Sequence, residues 1–264
     1  MTITLSSLKK QVRDGDKIAV LTCYDASFAT LMENAGVEVL LVGDTLGWVL
    51  QGHGSTLPVT QRDMEYHVAC VARGASQAFI IGDMAFGTYQ ESPQQALRNA
   101  ARLMAAGAHM VKLEGGSVLL ETVEFLTRRG IPVCGHLGLL PQSVNQLGGY
   151  RVQGKSEESA QRLLKEAVAL EQAGVEMLVL EAIPAHLGEA VTAQVSIPTI
   201  GIGAGPGCSG QVLVLYDMLG IYPGRTAKFV KNFMTGADNL STALENYVRE
   251  VKSGAFPAPA HCYA

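Results

Sequence analysis

Short apolar runs without polar alternation recur along the chain, and several of them stop on an acidic residue. The clearest run ends at Asp44, and similar runs end at Asp83, Glu114 and Glu181. Apolar runs of four to six residues are typical of parallel strands that helices cover on both faces. The pattern therefore predicts a parallel sheet whose strands bring carboxylates to a common site at one edge.

Strand-like and helix-like segments alternate through most of the chain. The predicted strands are 17–23, 38–43, 77–82, 109–114, 132–137, 175–181 and 198–203, and the predicted helices between them are 27–35, 60–73, 92–107, 117–129, 156–173 and 185–195. An eighth element at 211–216 is apolar enough for a strand, but the short connection before it leaves a buried helix as an alternative.

These repeats favour a (β/α)8 TIM barrel of the α/β class over an open doubly wound sheet. A short helix is expected at 6–13, and a helical tail is expected at 227–253 with a break at Gly236. No linker or low-complexity segment interrupts the pattern. We therefore predict one barrel domain spanning residues 1–264.

Each acid could instead be a helix N-cap, because strand-to-helix turns often end in Asp. Asp44 runs into Thr45-Leu46-Gly47, a poor helix start, and Asp83 lies well before the cap-and-proline start at Ser92-Pro93. The fourth acid is Glu181, and Glu is not a favoured N-cap residue. We therefore favour a shared site over four unrelated acids.

Further polar residues fall on the same predicted strands. The two-residue period of a strand puts Lys112 and Glu114 on one side, towards the barrel mouth, although a structural ion pair would have the same spacing. His136 ends the fifth strand at the same rim, where a core histidine is an equal alternative. By contrast, His67 and His261 are predicted to be structural or solvated.

Asp44 and Asp83 end neighbouring strands, so their carboxylates are expected to be close. Two such anions raise one another's pKa unless a cation lies between them. Oxygen ligands with several open positions suit Mg²⁺, which keeps waters and takes further ligands from a substrate. None of the six histidines has the spacing of a zinc site. The sequence therefore predicts a magnesium site.

Two connections, 45–59 and 139–155, are longer than is usual after a barrel strand. Long loops at the C-terminal rim usually cover an active site, with surface decoration as the alternative. Residues 205–210 contain a literal GxGxxG, but it is a weak dinucleotide signal because Pro206 lies inside it and no clear βαβ unit follows. We interpret it as a tight turn that lets a ligand approach the backbone.

Composition excludes several classes of partner. The chain has 264 residues, 48% of them hydrophobic, and a net charge of −4, so no basic face indicates nucleic acid or an anionic membrane. Apolar stretches are shorter than the roughly 18 residues of a membrane helix, and no secretory signal is evident. Five scattered cysteines without a C-x-x-C pair predict buried, reduced thiols and a cytoplasmic location.

The chain resembles the ketopantoate hydroxymethyltransferase family over nearly its whole length. The segments that carry the resemblance are LLVGDTLG (40–47), QGHGSTLPVT (51–60), MVKLEGG (110–116), PVCGHLGLLPQSVNQLGGYRVQG (132–154), LVLEAIPAHL (178–187) and IGIGAG (200–205). The resemblance implies a (β/α)8 barrel of the phosphoenolpyruvate/pyruvate type. It also implies a large homo-oligomer, often a decamer.

The resemblance also implies a ligand set. Asp44 and Asp83 would bind Mg²⁺, with Glu114 supporting the metal through water. Lys112 would contact the oxygen atoms of the substrate. Thr45, together with Asp44, would lie against the substrate carboxylate.

The same resemblance makes Glu181 the general base and places His136 near the site. The sequence departs from the family at three positions. Thr45 stands where Ser is usual, Ala85 where Pro is usual, and Trp48 where Met is common. None of these changes removes a catalytic group, but all three could alter the fit of the substrate.

The implied activity is transfer of a hydroxymethyl group from 5,10-methylenetetrahydrofolate to 3-methyl-2-oxobutanoate through a Mg-stabilised enolate, giving 2-dehydropantoate for pantothenate biosynthesis. One alternative is a Mg-dependent C–C lyase of the isocitrate-lyase type. Such enzymes carry a reactive cysteine in a K-x-C-G-H-type loop, whereas Cys134-Gly135-His136 here lacks the preceding Lys. A second alternative is a non-catalytic barrel that binds a keto acid and regulates a partner.

Overall fold

Eight parallel strands close into a barrel in the structure, a computed structural model that describes residues 2–264. The strands are Ile18–Thr22 (β1), Val39–Val42 (β2), Phe79–Asp83 (β3), Met110–Glu114 (β4), Val133–Gly138 (β5), Met177–Glu181 (β6), Thr199–Ile202 (β7) and Gly210–Leu213 (β8). Each strand pairs with the next, and β8 pairs with β1. The predicted α/β barrel is confirmed.

Helices surround this barrel. The α-helices are Leu5–Arg13 (α1), Ala26–Asn34 (α2), Leu46–Val49 (α3), Gln61–Gly74 (α4), Pro93–Ala106 (α5), Leu120–Thr127 (α6), Val144–Leu147 (α7), Glu157–Gln172 (α8), Ala185–Gln194 (α9), Leu215–Met218 (α10) and Leu240–Ser253 (α11). The start of α5 shows how sequence sets these bounds: Ser92 caps the helix by accepting from Gln95 N, and Pro93 occupies the first turn.

The uncertain eighth element is a strand. Gly210 pairs with Ile18 and Leu213 with Leu21, which closes the barrel between β8 and β1. Residues 203–209 connect β7 to β8 without a helix. The apolar stretch predicted for 211–216 divides after Leu213, and its second part begins the short helix α10. The buried-helix alternative is therefore wrong for the part that completes the sheet.

The glycine-rich turn at 205–210 has a neighbour that the sequence did not reveal. A Cβ at Gly205 would lie 2.5 Å from Cβ of Ala185, and one at Gly207 would lie 2.8 Å from Cβ of Glu189, both on α9. Such distances leave no room for a side chain. These glycines therefore admit helix α9 close to the turn, and the approach of a ligand to the backbone here stays a prediction.

The C-terminal tail is helical over a shorter range than predicted. Helix α11 begins only after Asn239, whose side chain accepts from Thr242 N at 3.0 Å. Gly236 adopts a left-handed φ of +82°, and residues 227–239 form turns. Because a good N-cap and a left-handed glycine both precede the helix, the helical period does not extend back to residue 227.

Helix α11 covers the seam where the barrel closes. Tyr247 on this helix is fully buried, and its hydroxyl lies 2.8 Å from the carbonyl oxygen of Val20 on β1 and 2.9 Å from that of Gln211 on β8. Its ring packs edge-on against Phe233, with ring centroids 5.3 Å apart. A single side chain thus contacts the first and the last strand of the sheet.

All five cysteines carry free thiols, and Cys23, Cys134 and Cys208 are buried. In the part of the chain that the structure describes, no helix is long and apolar enough to cross a membrane. The predicted burial therefore holds for these three cysteines but is wrong for Cys70 and Cys262, which are partly exposed. The location in the cell and the single-domain division of residues 1–264 stay predictions.

Candidate active site

The predicted site residues converge at the C-terminal rim of the barrel. Asp83 pairs in register with Lys112, and Glu114 pairs with His136 on the next strand. Glu181 ends β6, the strand beside β5. Parallel strands point their carboxyl ends the same way, so these side chains reach a common rim. Their convergence is confirmed, while their chemical roles stay predictions.

Lys112 is the buried cation of this rim. Its Nζ lies 2.8 Å from Oδ1 of Asp83 and 3.7 Å from Oε1 of Glu114, and 5% of its side chain is exposed. Burial alone would lower the pKa of Lys112, but the charges of Asp83, Glu114 and Asp44 outweigh burial and raise it. The ammonium group therefore stays charged, and the predicted orientation of Lys112 and Glu114 towards the mouth is confirmed.

Asp44 and Asp83 are close neighbours, as the strand order predicts. The backbone N–H of Asp44 donates to Oδ2 of Asp83 at 3.1 Å. Burial raises the pKa of both carboxyl groups; the charges of Glu114 and Asp83 raise that of Asp44 further, whereas Lys112 opposes the rise at Asp83. A cation bound beside Asp44 and Asp83 would therefore stabilise their ionised carboxylates.

Asp44 is not a helix cap, although a short helix does begin beside it. Helix α3 starts at Leu46 with Thr45 as its N-cap residue, and no side chain caps it. The hydroxyl of Thr45 instead lies 2.8 Å from that of Tyr24. The Asp44 carboxylate therefore has no structural duty at a helix end, and the contact of Thr45 with a substrate carboxylate stays a prediction.

His136 links two carboxylates of the site. Its Nδ1 lies 3.5 Å from Oε1 of Glu114, and its Nε2 lies 3.3 Å from Oε2 of Glu181, although neither contact has the geometry of a hydrogen bond. Burial would lower the pKa of His136, but its interactions with Glu114 and Glu181 raise it to about 9. A carboxylate oxygen thus lies within 3.5 Å of each ring nitrogen, and these two negative charges favour the imidazolium. The role of His136 in the site stays a prediction.

The raised pKa of His136 predicts a pH-dependent contribution to stability. A group with a folded pKa above its unfolded value of about 6.5 stabilises the fold fully below that value and loses this contribution as the pH rises through about 9. We expect His136→Asn to lower the free energy of unfolding by roughly 1–3 kcal/mol near pH 6 and by much less near pH 10.

Urea unfolding at both pH values, with a chelator present, measures this difference. His186→Asn, a change at an exposed histidine on α9, is the matched control and is expected to have little effect at either pH. An equal loss of stability for His136→Asn at both pH values would contradict the charged state of the ring.

Gln142 is a site residue that the sequence analysis missed. Its side-chain Nε2 donates to Oδ2 of Asp44 and to the carbonyl of Met84, each at 2.9 Å, and its backbone N–H donates to Oε2 of Glu114 at 3.0 Å. Its Oε1 accepts from the hydroxyl of buried Tyr89 at 2.6 Å. Gln142 therefore holds carboxylates from two different strands, and its amide orientation is determined by acceptors on one side and a hydroxyl on the other.

Replacing the hydrogen-bond donor of the Gln142 side chain with an acceptor is expected to disrupt the site. In Gln142→Glu, a carboxylate oxygen replaces the amide N–H group that faces Asp44 and Met84. We expect a loss of about 1–3 kcal/mol in the free energy of unfolding and a 10–100-fold weaker affinity for a divalent ion. Thermal unfolding and a Mn²⁺ titration measure the two effects.

Gln153→Glu is the matched control for Gln142→Glu. Gln153 lies on the same loop and donates to the carbonyl of Arg151 at 2.9 Å. This contact involves no carboxylate of the site, so stability and ion affinity are expected to stay near those of the wild type. Unchanged Mn²⁺ affinity in Gln142→Glu would show that the amide does not orient the carboxylates.

The residues present fit a magnesium ion that takes few protein ligands. Among residues 2–264, no group of three or more His, Cys, Asp or Glu side chains forms a ready metal-binding set. Asp44 and Asp83 nevertheless offer two adjoining carboxylates, in which Oδ1 of Asp83 lies 2.8 Å from Nζ of Lys112 and Oδ2 accepts from the backbone N–H of Asp44. Mg²⁺ is commonly held by one or two carboxylates, with substrate and water completing six ligands. The oxygens of Glu114 face Lys112, His136 and Gln142 N, which suits contact through water.

The two long loops meet above the site. Trp48 on the first loop and Tyr150 on the second have ring centroids 5.3 Å apart at an interplanar angle of 77°. Both loops leave the C-terminal rim, as predicted from the strand order. The loops therefore cover the mouth of the barrel, which favours an active-site cover over surface decoration.

A sequence model of the ketopantoate hydroxymethyltransferase family matches residues 2–259. The chain belongs to this family. Its relatives include the 3-methyl-2-oxobutanoate hydroxymethyltransferase of Nitrosospira multiformis, which is 64% identical over 263 residues covering 100% of both chains. The corresponding protein of an Azoarcus species is 63% identical over 262 residues, covering 99% of this chain and 97% of the relative.

Solved structures of other enzymes share the fold of this ketopantoate hydroxymethyltransferase family member. A 2,3-dimethylmalate lyase of the PEP mutase/isocitrate lyase superfamily has a TM-score of 0.59 at 20% identity, covering 83% of each chain. A phosphonopyruvate hydrolase in complex with oxalate and Mg²⁺ has a TM-score of 0.61 at 12% identity, covering 81% of each chain. At these identities the likeness shows the barrel alone, so it does not support the lyase alternative against the full-length relatives.

Proposed function

We propose that the chain catalyses transfer of a hydroxymethyl group from 5,10-methylenetetrahydrofolate to 3-methyl-2-oxobutanoate, giving 2-dehydropantoate and tetrahydrofolate. Family membership and two full-length relatives named for this activity support the proposal, and they favour an enzyme over a non-catalytic regulator. The observation that carries it is the placement of Glu181. Its side chain is 15% exposed beside a buried group of acids and Lys112, where a bound substrate could meet it.

Asp44 and Asp83 would hold Mg²⁺, and Glu114 would support it through water. When bound, the ion would polarise the keto group as a Lewis acid. Lys112 lies 2.8 Å from Asp83, so its ammonium group can donate to a substrate oxygen on which negative charge develops. A phosphonopyruvate hydrolase of the same fold has been solved in complex with oxalate and Mg²⁺, which supports a Mg²⁺-dependent reaction in this chain.

Glu181 removes the proton from C3 of the keto acid. His136 lies 3.3 Å from Glu181 and stays protonated on its other side against Glu114, which orients the base by charge. The electron pair left at C3 then forms the new bond to the methylene carbon of 5,10-methylenetetrahydrofolate. Both bonds from this carbon to the folate nitrogens break, and a water molecule supplies the hydroxyl oxygen of the product. The two folate nitrogens keep the electron pairs and take up the proton from C3 and one proton from the water, which gives tetrahydrofolate. Thr45, beside Asp44, would contact the carboxylate of the keto acid.

Deuterium exchange at C3 of 3-methyl-2-oxobutanoate tests this function. With Mg²⁺ and without folate, the protein is expected to exchange the C3 hydrogen with solvent, because proton removal precedes carbon transfer. A chelator is expected to stop the exchange. If the C3 hydrogen stays in place with Mg²⁺ bound and the full reaction also fails, the proposed activity is wrong.

We propose a homo-oligomer of a single-domain chain, with the decamer as the expected form, in the cytoplasm. The free thiols of all five cysteines support the location, because reducing compartments keep thiols unpaired. Sedimentation velocity measures the oligomeric state directly.

A further inference from the structure

The loop at 139–155 arches over the barrel mouth from one side of the site to the other. Near its start, the backbone N–H of Gln142 donates to Oε2 of Glu114 at 3.0 Å. Near its end, the backbone N–H of Gln153 donates at 2.9 Å to the carbonyl of Ala182, the residue after Glu181. The middle of the loop therefore spans the space between the buried acids and the general base.

An aromatic pair lies in this span. Tyr150 belongs to the arching loop, and Trp48 follows Asp44 by four residues on α3. Their rings meet at right angles with centroids 5.3 Å apart, so each leaves one face without an aromatic neighbour. Trp48 is half-buried and Tyr150 is 50% exposed. Two large aromatic rings beside the site are thus partly exposed to solvent.

The polar groups of both rings are free for a ligand. Within residues 2–264, neither Nε1 of Trp48 nor the hydroxyl of Tyr150 has a hydrogen-bond partner. Tyr and Trp normally place such groups against a partner when their rings are partly buried. The pair therefore offers flat apolar faces together with two unused donors.

The position of the pair matches the open side of the site. Glu181 is 15% exposed, whereas Asp83, Lys112 and Glu114 are at most 5% exposed. A second substrate that meets C3 of the keto acid must therefore approach past Glu181. Burial raises the pKa of Tyr150, and the charge of Glu181 raises it further, which agrees with a phenol lying on this approach.

We propose that Trp48 and Tyr150 form the contact surface for the flat bicyclic ring of the folate co-substrate. This inference rests on the proposed function, which requires a folate one-carbon donor. A reduced pterin ring has a broad face for stacking and several nitrogen and oxygen atoms that can accept from the indole and phenol donors. Stacking on aromatic side chains is the usual way in which proteins hold such heterocycles.

The chain provides its own optical probe, because Trp48 is its sole tryptophan. With Mg²⁺ present, tetrahydrofolate is expected to quench the emission of Trp48 in a saturable manner, with a correction from free N-acetyltryptophanamide for absorbed light. The keto acid alone is expected to change the emission little. No saturable change with tetrahydrofolate would overturn the proposal.

Kinetics of ring variants provide a second test. Trp48→Leu and Tyr150→Ala are each expected to raise KM for 5,10-methylenetetrahydrofolate about tenfold, with KM for the keto acid nearly unchanged. Trp48→Phe keeps a ring and is expected to restore most of the affinity. Tyr66→Ala, a change at a tyrosine on α4 that is 65% exposed, is the matched control and should leave both KM values unaltered.

Deuterium exchange at C3 separates this inference from the proposed function. Both ring variants are expected to exchange the C3 hydrogen at the wild-type rate without folate, and thermal unfolding checks that they are folded. Normal exchange with an unchanged folate KM would overturn the aromatic site and leave the activity standing. A rise in the keto-acid KM alone would assign the rings to the other substrate and would also overturn the proposal.

Discussion

Glu181→Gln is expected to lower turnover by about 10²–10⁴-fold, the usual contribution of a positioned general base. Glutamine keeps the shape of the side chain and can still face Nε2 of His136, which lies 3.3 Å from Oε2 of Glu181 in the structure. It cannot accept a proton from C3. The variant should therefore bind the keto acid in the presence of Mg²⁺ but fail to exchange its C3 hydrogen.

Steady-state turnover and C3 deuterium exchange measure the effect, and calorimetry of keto-acid binding shows whether the site is intact. Glu189→Gln on α9 is the matched control, because Glu189 is exposed on the outer ring of helices. It is expected to turn over at the wild-type rate. Wild-type exchange in Glu181→Gln would assign proton removal to another group.

Lys112→Met is expected to destabilise the fold by about 3–5 kcal/mol at neutral pH, because it leaves buried carboxylates without their cation. The ammonium group lies 2.8 Å from Asp83 and 3.7 Å from Glu114, with all three side chains buried. Methionine fills a similar volume, so the effect comes from the lost charge. Turnover is also expected to fall steeply, since no ammonium group remains to donate to the substrate.

The loss in Lys112→Met should shrink as the pH falls. The pKa values of Asp44 and Asp83 are already raised by burial, and without Lys112 they rise further, so acid neutralises the unpaired carboxylates. Added Mg²⁺ is also expected to recover part of the stability. Urea unfolding across pH 5–8, with and without Mg²⁺, gives the measurement, and exposed Lys165→Met on α8 is the control. A small, pH-independent loss would show that Lys112 does not neutralise the acids.

The strand ends were predictable because their signal is local. An apolar run followed by an acid marks where a buried strand reaches solvent, and the two-residue period alone places Lys112 and Glu114 on one side. The order of parallel strands then brings Asp44 beside Asp83, which the 3.1 Å contact between them bears out. For these residues, the local sequence pattern is enough to predict where the side chains lie in the fold.

Gln142 could not be found in this way. Its side chain reaches carboxyl groups delivered by other strands, and its role depends on a 98-residue separation from Asp44. A glutamine after a proline in a long loop looks like any solvated residue, so no periodic pattern marks it. Helix α11 was placed too early for a similar reason, because its start depends on the capping contact of Asn239 rather than on apolar spacing.

The hydroxyl of Tyr247 spans 227 residues to Val20 and 36 residues to Gln211, so it joins the two margins of the sheet only after almost the whole chain exists. During synthesis, the emerging strands form an open, curved ribbon with two unpaired margins until β8 is available to pair with β1. Even then, the two margins lack the contacts of Tyr247 until α11 emerges. A ribosome-bound chain halted before residue 240 is expected to expose those margins to proteases and chaperones, whereas the released full-length chain shields them.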